Sequence, residues 1–536
     1  MLRPFVSFLL TFAAASALVL LAGARGHGQD PGQLRTLLYP YPLPAVDQGV
    51  LADEGLGPPR QSTIAHRARM KSAAATLDRT GRSGATYVAG RVIVKFRDGT
   101  SSAVRLSSLA RMSAVRTVPE RSSYANFDLV DIDPLDDAEA VADSWRQRPE
   151  VEYAQPAYRI HKRFVPNDSL YQQLQWNMPL IDMERAWDIQ GTAGSSITVA
   201  VLDTGIAFEN TVIRFDAPEF TDDLGNVHPA LGSIDVPFAA ATDLFAPGRF
   251  VAPHDFIWGD NDPVDLDGHG THVSGTIGQL TNNSFGTAGV AFNVKLMPVK
   301  VIGSDWDDVF GATDLGSDGT VALGIRYAAD NGAKVINMSI GRTGPSAPVI
   351  EDAIRYAVRK GVFIAVAGGN EFEDGNATDV VAEIASRVNG AVSVGAVDRA
   401  KNHAYYSTTG SWIELVAPGG SSRVFGRDGV VYQQTLNFLN FGFCIVTPSV
   451  CGVPPSFSAP RFDVFAFFGL QGTSMATPHV SGVAAMLMQQ GITDPAAVEA
   501  ALEHFATDLG AKGRDNVFGY GLIEARDTLR GLGLAR

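Results

Sequence analysis

Cysteine is nearly absent, with two residues in a chain of 536. That excludes a disulfide-built scaffold and any cysteine-rich zinc or iron–sulfur centre. Charged residues are sparse at 19%, yet 45% of the chain is hydrophobic, which excludes wholesale disorder. No G-x-S-x-G elbow and no H-E-x-x-H pair occurs, so an α/β-hydrolase nucleophile and a helical zinc site both lack their signatures. Positive charge is scarce where most of the chain lies. Residues 164–536 hold 22 Lys and Arg against 41 Asp and Glu, whereas residues 1–163 hold 21 against 16. The larger part would repel a phosphate backbone, so nucleic acid is not an expected partner. The asymmetry also divides the chain in two.

Only one apolar run nears the length of a bilayer span. It follows Arg3, extends from Phe5 to Leu21 and ends at Ala22-Gly23-Ala24. A positive start, a short apolar stretch and an A-x-A site predict a signal peptide over residues 1–24. The expected product is secreted, extracellular or periplasmic, with no membrane attachment after cleavage and a monomer as the default. Residues 25–85, rich in Pro, Gly, Ala and Arg, read as a linker. Residues 86–163 read as a small α+β, ferredoxin-like module. Alternation predicts strands at Gly90–Phe96, Phe127–Ile132 and Val151–Ala154, with helices near 100–113 and 138–148.

From residue 195 apolar strands alternate with helical patterns, predicting an α/β fold with a doubly wound, mostly parallel sheet. The strands are read at 197–202, 294–302, 334–340, 362–367, 391–397 and 413–417, and the main helices at 318–331, 347–360 and 474–490. In such sheets reactive groups gather where strands end and helices begin. Three polar residues stand there: Asp203 before Thr204-Gly205, His269 in Gly268-His269-Gly270-Thr271-His272, and Ser474 in Gly472-Thr473-Ser474-Met475-Ala476. Singly they are a turn former, a loop histidine and a helix cap. Together they supply an orienting anion, a general base and a nucleophile.

These three segments resemble the signatures of the subtilisin-like serine peptidases, in that family's order, over residues 166–530. Pro166-Asn167-Asp168 and Thr281-Asn282-Asn283-Ser284 are most similar to its thermitase-like branch. The resemblance implies a serine endopeptidase with Asp203, His269 and Ser474 as catalytic triad and Asn370, in Ala367-Gly368-Gly369-Asn370, as oxyanion-hole donor. It implies substrate binding by Ser339, Ile340, Gly341, Gly368 and Gly369, with Glu371 at the pocket rim; which side-chain class enters stays open. It implies structural Ca²⁺ near Asp168 and Asn283, with the carbonyls of Leu280, Phe285 and Thr287 as companions and no organic cofactor. A further ligand is expected after Asp203, but the insertion at about 208–253 hides it. Asp260, Asp262, Asp265 and Asp267 form an acidic run that fits either a cation or a solvated loop. His272 is read as structural.

The peptidase domain is placed at 164–536, with a second insertion at about 419–470. In an oxidising compartment its Cys444 and Cys451 are expected to pair. Phe438, Phe441 and Phe443 beside them could line an extended substrate site. Residues 86–163 resemble the propeptides of these peptidases, which implies an intramolecular inhibitor of a self-processing zymogen, cut near His161–Phe164. The rival reading is an inactive homologue serving as an exported binding module, against which the intact Asp203, His269, Asn370 and Ser474 argue.

Overall fold

A computed structural model describes residues 78–80, 86–111, 124–159, 164–448 and 459–533. The expected signal peptide and most of the expected linker lie outside these residues. The described residues form two compact units, residues 78–159 and residues 164–533.

In the first unit Thr86–Phe96 is the central strand. It pairs antiparallel with Asp78–Thr80, Asp128–Asp131 and Val151–Tyr158. The strand Asp78–Thr80 falls inside the segment read as linker. The helices are Ser102–Arg111 and Ala138–Arg146. Asp137 caps the second, its carboxylate accepting from the Glu139 and Ala140 N–H groups, which satisfies two of the donors that a helix start leaves unpaired. Trp145 from that helix is fully buried, edge-on to Phe96 with ring centroids 6.1 Å apart.

In the second unit seven strands form one parallel sheet. Their order is His254–Asp255, Lys295–Lys300, Thr198–Asp203, Val335–Met338, Phe363–Ala367, Ala391–Val397 and Leu415–Pro418. Both faces are covered, so period-two alternation shows only in which core a residue joins. Val199 and Val201 pack with the helices His269–Gly278 and Thr473–Gln489. Ala200 and Leu202 pack with Asp318–Asp330 and Pro348–Arg359. The helix Thr473–Gln489 is buried from Thr473 to Met488 and apolar nearly all round, as a central helix must be. Among the described residues no helix is long and apolar enough to cross a membrane.

Strand order creates the site. From Thr198–Asp203 the chain passes to neighbours on one side and then returns to Val335–Met338 on the other. The carboxyl end of Thr198–Asp203 is therefore the switch point, where flanking connections diverge and leave a crevice. Asp203 occupies it.

The sheet lacks the antiparallel pairs that sequence alternation did not reveal. Thr211–Ala217 pairs with Gly232–Phe238 in the first insertion, and Val431–Leu436 with Phe465–Leu470 in the second. The structure corrects the reading of Phe438, Phe441 and Phe443 as a substrate surface. All three are buried, with Phe438 4.7 Å from Phe468 and Phe441 stacked on Phe462 at 5.6 Å between centroids. They are core. Cys444 lies in the short helix Phe443–Val446; Cys451 is outside the described residues.

Candidate active site

Asp203 is completely buried at the end of its strand. Its Oδ1 accepts from the Thr204 N–H at 2.8 Å and lies 2.7 Å from His269 Nδ1. The approach depends on glycine. A Cβ at Gly270 would sit 2.1 Å from the Gly205 carbonyl oxygen and 3.1 Å from the Asp203 Cβ, so any side chain would push the helix off the strand. Gly268, at φ 100°, turns the chain into that helix in a conformation that strains other residues.

The loop before His269 is tied down by Asp265. This buried carboxylate accepts from the N–H groups of Asp267, Gly268 and Thr271 at 2.8–3.0 Å and from the hydroxyls of Thr204 and Thr271. It binds the histidine loop to the residue after Asp203, and this explains Asp265 without a cation. Asp267 in turn accepts from the His269 N–H at 3.0 Å.

The imidazole is buried, which favours its neutral form. The charge and hydrogen bond of Asp203, with the charges of Asp267 and Asp265, outweigh that and raise it to about 9. Nδ1 is fixed by Asp203, and the opposite nitrogen, Nε2, has no hydrogen-bond partner among the described residues. It is the position from which a base would act. The other histidines nearby have structural partners. His272 Nε2 lies 3.1 Å from both the Val431 and Phe468 carbonyls, clamping the second insertion, and burial holds it down to about 3.

Ser474 stands in the first turn of the central helix, where N–H groups have no intrahelical acceptor. Its hydroxyl donates to the Ser339 carbonyl at 3.0 Å, and the Ser339 hydroxyl donates back to the Ser474 carbonyl at 2.8 Å. In this structure the serine hydroxyl is thus turned to the strand and away from the imidazole. Asn370 follows the strand Phe363–Ala367. Its Oδ1 accepts from the Thr473 N–H at 2.9 Å and hydroxyl at 3.0 Å. With the oxygen so held, the amide nitrogen is the end left to donate toward the Ser474 side.

A small cleft opens on Ser474. Ser339, Ile340, Gly341, Gly369 and Asn370 line it, with Glu371 and Asp379. Gly368 does not. A Cβ there would meet Ile413 at 2.7 Å and the Val394 carbonyl at 3.0 Å, so its constraint is packing. Asp379 was missed by sequence reading, because an Asp at a helix start is a cap. It does cap Val380–Ala385, accepting from the Val381 and Ala382 N–H groups at 2.9 Å.

Asp168 and Asn283 meet around a third residue, Asp243. Asn283 Nδ2 donates to Asp243 Oδ1 at 2.7 Å, and Asp168 Oδ2 accepts from the Asn282 N–H at 2.7 Å. Asp168 Oδ1 is buried without a partner. Burial raises the Asp168 carboxyl and pushes Asp243 up to about 7, Asp168 adding its charge. Two desolvated carboxylates, an orphan oxygen and an amide side chain form a hard-oxygen donor set that suits a divalent cation.

Both units of the chain resemble known proteins. The subtilase family model matches residues 194–521, and a fervidolysin N-terminal prodomain model matches residues 73–157. A thermophilic serine proteinase from Bacillus sp. strain AK1 is 30% identical, over 83% of this chain and 88% of that protein. Thermitase of Thermoactinomyces vulgaris is 28% identical, over 66% of this chain and 98% of its own. Among solved structures, fervidolysin from Fervidobacterium pennivorans matches 84% of this chain and 62% of that one, at 22% identity and a TM-score of 0.46.

Proposed function

The chain belongs to the subtilase family and is a serine endopeptidase with an N-terminal prodomain, and from that premise we propose that Asp203, His269, Ser474 and Asn370 carry its chemistry. The observation that supports this most is the 2.7 Å contact between a buried carboxylate and His269 Nδ1, with Nε2 left open.

In the reaction the Ser474 hydroxyl turns from the Ser339 carbonyl to His269 Nε2. As Oγ attacks the peptide carbonyl carbon, Nε2 takes its proton. Asp203 holds the tautomer and stabilises the imidazolium. The developing oxyanion is held by the Asn370 amide and the Ser474 N–H, donors fixed before the substrate arrives. His269 then returns the proton to the leaving amine, and water resolves the acyl-enzyme by the same steps in reverse order.

Asp168, Asp243 and Asn283 would hold a structural Ca²⁺. There the ion would neutralise the charge of two buried carboxylates. The prodomain serves as an intramolecular inhibitor removed by self-processing near His161–Phe164, which lies largely outside the described residues. The prodomain family match over residues 73–157 supports that role; residues 86–163 are nearly neutral, with 12 Lys and Arg against 11 Asp and Glu, so charge adds little to it. Secretion is supported by the signal-like start and by an extracellular protease of Xanthomonas campestris that is 30% identical. In that oxidising setting Cys444 and Cys451 pair.

The test is expression of residues 25–536 and of the Ser474→Ala variant, each with and without calcium, following intact mass over time. Wild type is expected to shorten to a start near residue 164 while the variant stays whole. If wild type never shortens and never cleaves an unfolded protein, the inactive-homologue reading replaces this one.

A further inference from the structure

The cleft beside Ser474 is unusual in carrying two carboxylates on its wall and no cation to match them. The peptide side chain on the acyl side of the scissile bond would enter this cleft, because it opens on the attacking hydroxyl and is bounded by Ser339–Gly341, the segment that follows the strand Val335–Met338. Asp379 is 3% exposed, and one of its carboxylate oxygens is occupied by the helix start. The other oxygen lies 2.0 Å from where a Cβ on Gly341 would be, so it fills the space between the strand and the cleft. Glu371 closes the opposite side. Its Oε2 accepts from the Asn370 N–H at 2.8 Å and lies 2.8 Å from the position of a Gly369 Cβ.

Neither carboxylate has an ion-pair partner among the described residues. Arg342 feels the Asp379 charge and its backbone N–H faces that carboxylate, but its guanidinium is engaged by Asp318 in a two-pronged pair at 2.7 and 2.6 Å. The consequence appears in their protonation. Burial pushes Asp379 up to about 8, the Glu371 charge adding to it, and burial likewise raises Glu371. An aromatic or aliphatic side chain entering the cleft would strip the remaining water from both groups and return no hydrogen bond. A Lys ammonium or Arg guanidinium would return a counter-charge and charge-assisted hydrogen bonds.

We propose that this peptidase cleaves after basic residues, with Asp379 at the base of the specificity pocket and Glu371 at its rim as the residues that select Lys or Arg. The inference rests on the peptidase reading above and adds a substrate class to it.

The experiment uses the self-processed enzyme at pH 9 with chromogenic peptides that differ only in a P1 Lys, Arg, Phe or Leu. The wild-type ratio of kcat/KM for Lys over Phe is expected to exceed ten. In Asp379→Asn that ratio should fall at least tenfold, and in Glu371→Gln it should fall by a smaller factor. A merely structural role for Asp379 would lower both substrates together and leave the ratio alone. Should loss of the cap prevent Asp379→Asn from folding, the Glu371→Gln ratio decides. Cleavage that favours Phe or Leu, or a ratio unmoved in every folded variant, overturns the assignment while leaving the peptidase intact. Inertness toward all four peptides refutes the peptidase reading and the pocket with it.

Discussion

Replacing Asp203 with Asn removes the anion that sets the properties of His269. The imidazole holds its proton to about pH 9, where the unperturbed group has 6.5. That difference corresponds to about 3 kcal/mol favouring the imidazolium in the folded state. Because the folded value is raised, this stabilisation is fully present below pH 6.5, declines between 6.5 and 9, and is gone above 9. Asp203→Asn should therefore destabilise the protein by up to about 3 kcal/mol at pH 6, Asp267 and Asp265 retaining a share of the shift, and by little at pH 10. Urea unfolding in a Ser474→Ala background, where self-digestion is blocked, measures this at both pH values. The kinetic counterpart is the rising limb of kcat/KM, which reports the free enzyme. Its midpoint should lie near 9 in the parent and move to lower pH in Asp203→Asn, since burial remains and the largest opposing charge does not, with only Asp267 and Asp265 left to raise it. A loss equal at pH 6 and pH 10, or a limb that does not move, would refute the reasoning.

Two further outcomes follow from the same geometry. Asn370→Ala should lower kcat by roughly 10²–10³-fold with little change in KM, the size of loss that removing one oxyanion-hole donor brings; a change confined to KM, read from steady-state kinetics, counts against an oxyanion role. Chelating calcium should lower the melting temperature of the parent and leave Asp243→Asn, already deprived of a carboxylate, nearly unchanged; calorimetry showing no calcium dependence in either removes the proposed ion.

The sheet could be read from the sequence because burial on both faces leaves continuous apolar runs such as Val199–Leu202 and Phe363–Ala367, each bounded by polar residues. The edge strand His254–Asp255 could not. Two residues give no periodicity, and its pairing with Lys295–Lys300 is set by tertiary contact. Asp203, His269, Ser474 and Asn370 stood out because each ends or begins an element in a glycine-rich setting, and the structure brings Asp203 to His269. What was hidden depends on distance in the fold. Asp243 is forty residues from Asp203, behind a hairpin, and no spacing rule links it to Asn283. Asp379 has the local signature of a cap, and only the approach of Gly341 reveals its second oxygen to the cleft. Phe438, Phe441 and Phe443 read as a possible substrate surface because insertions are usually surface loops; here Phe438 and Phe441 bury against Phe468 and Phe462, and Phe443 against both of them.

The central claim is that Ser474 is the nucleophile and His269 its base. Its most direct test is a fluorophosphonate reagent, which phosphonylates an activated serine, followed by intact mass and peptide mapping of the processed enzyme. The account predicts one adduct per chain on the peptide carrying Ser474, formed in step with loss of activity and absent from His269→Ala. An enzyme that goes on cleaving protein unlabelled, or that carries its adduct on another serine, would contradict it.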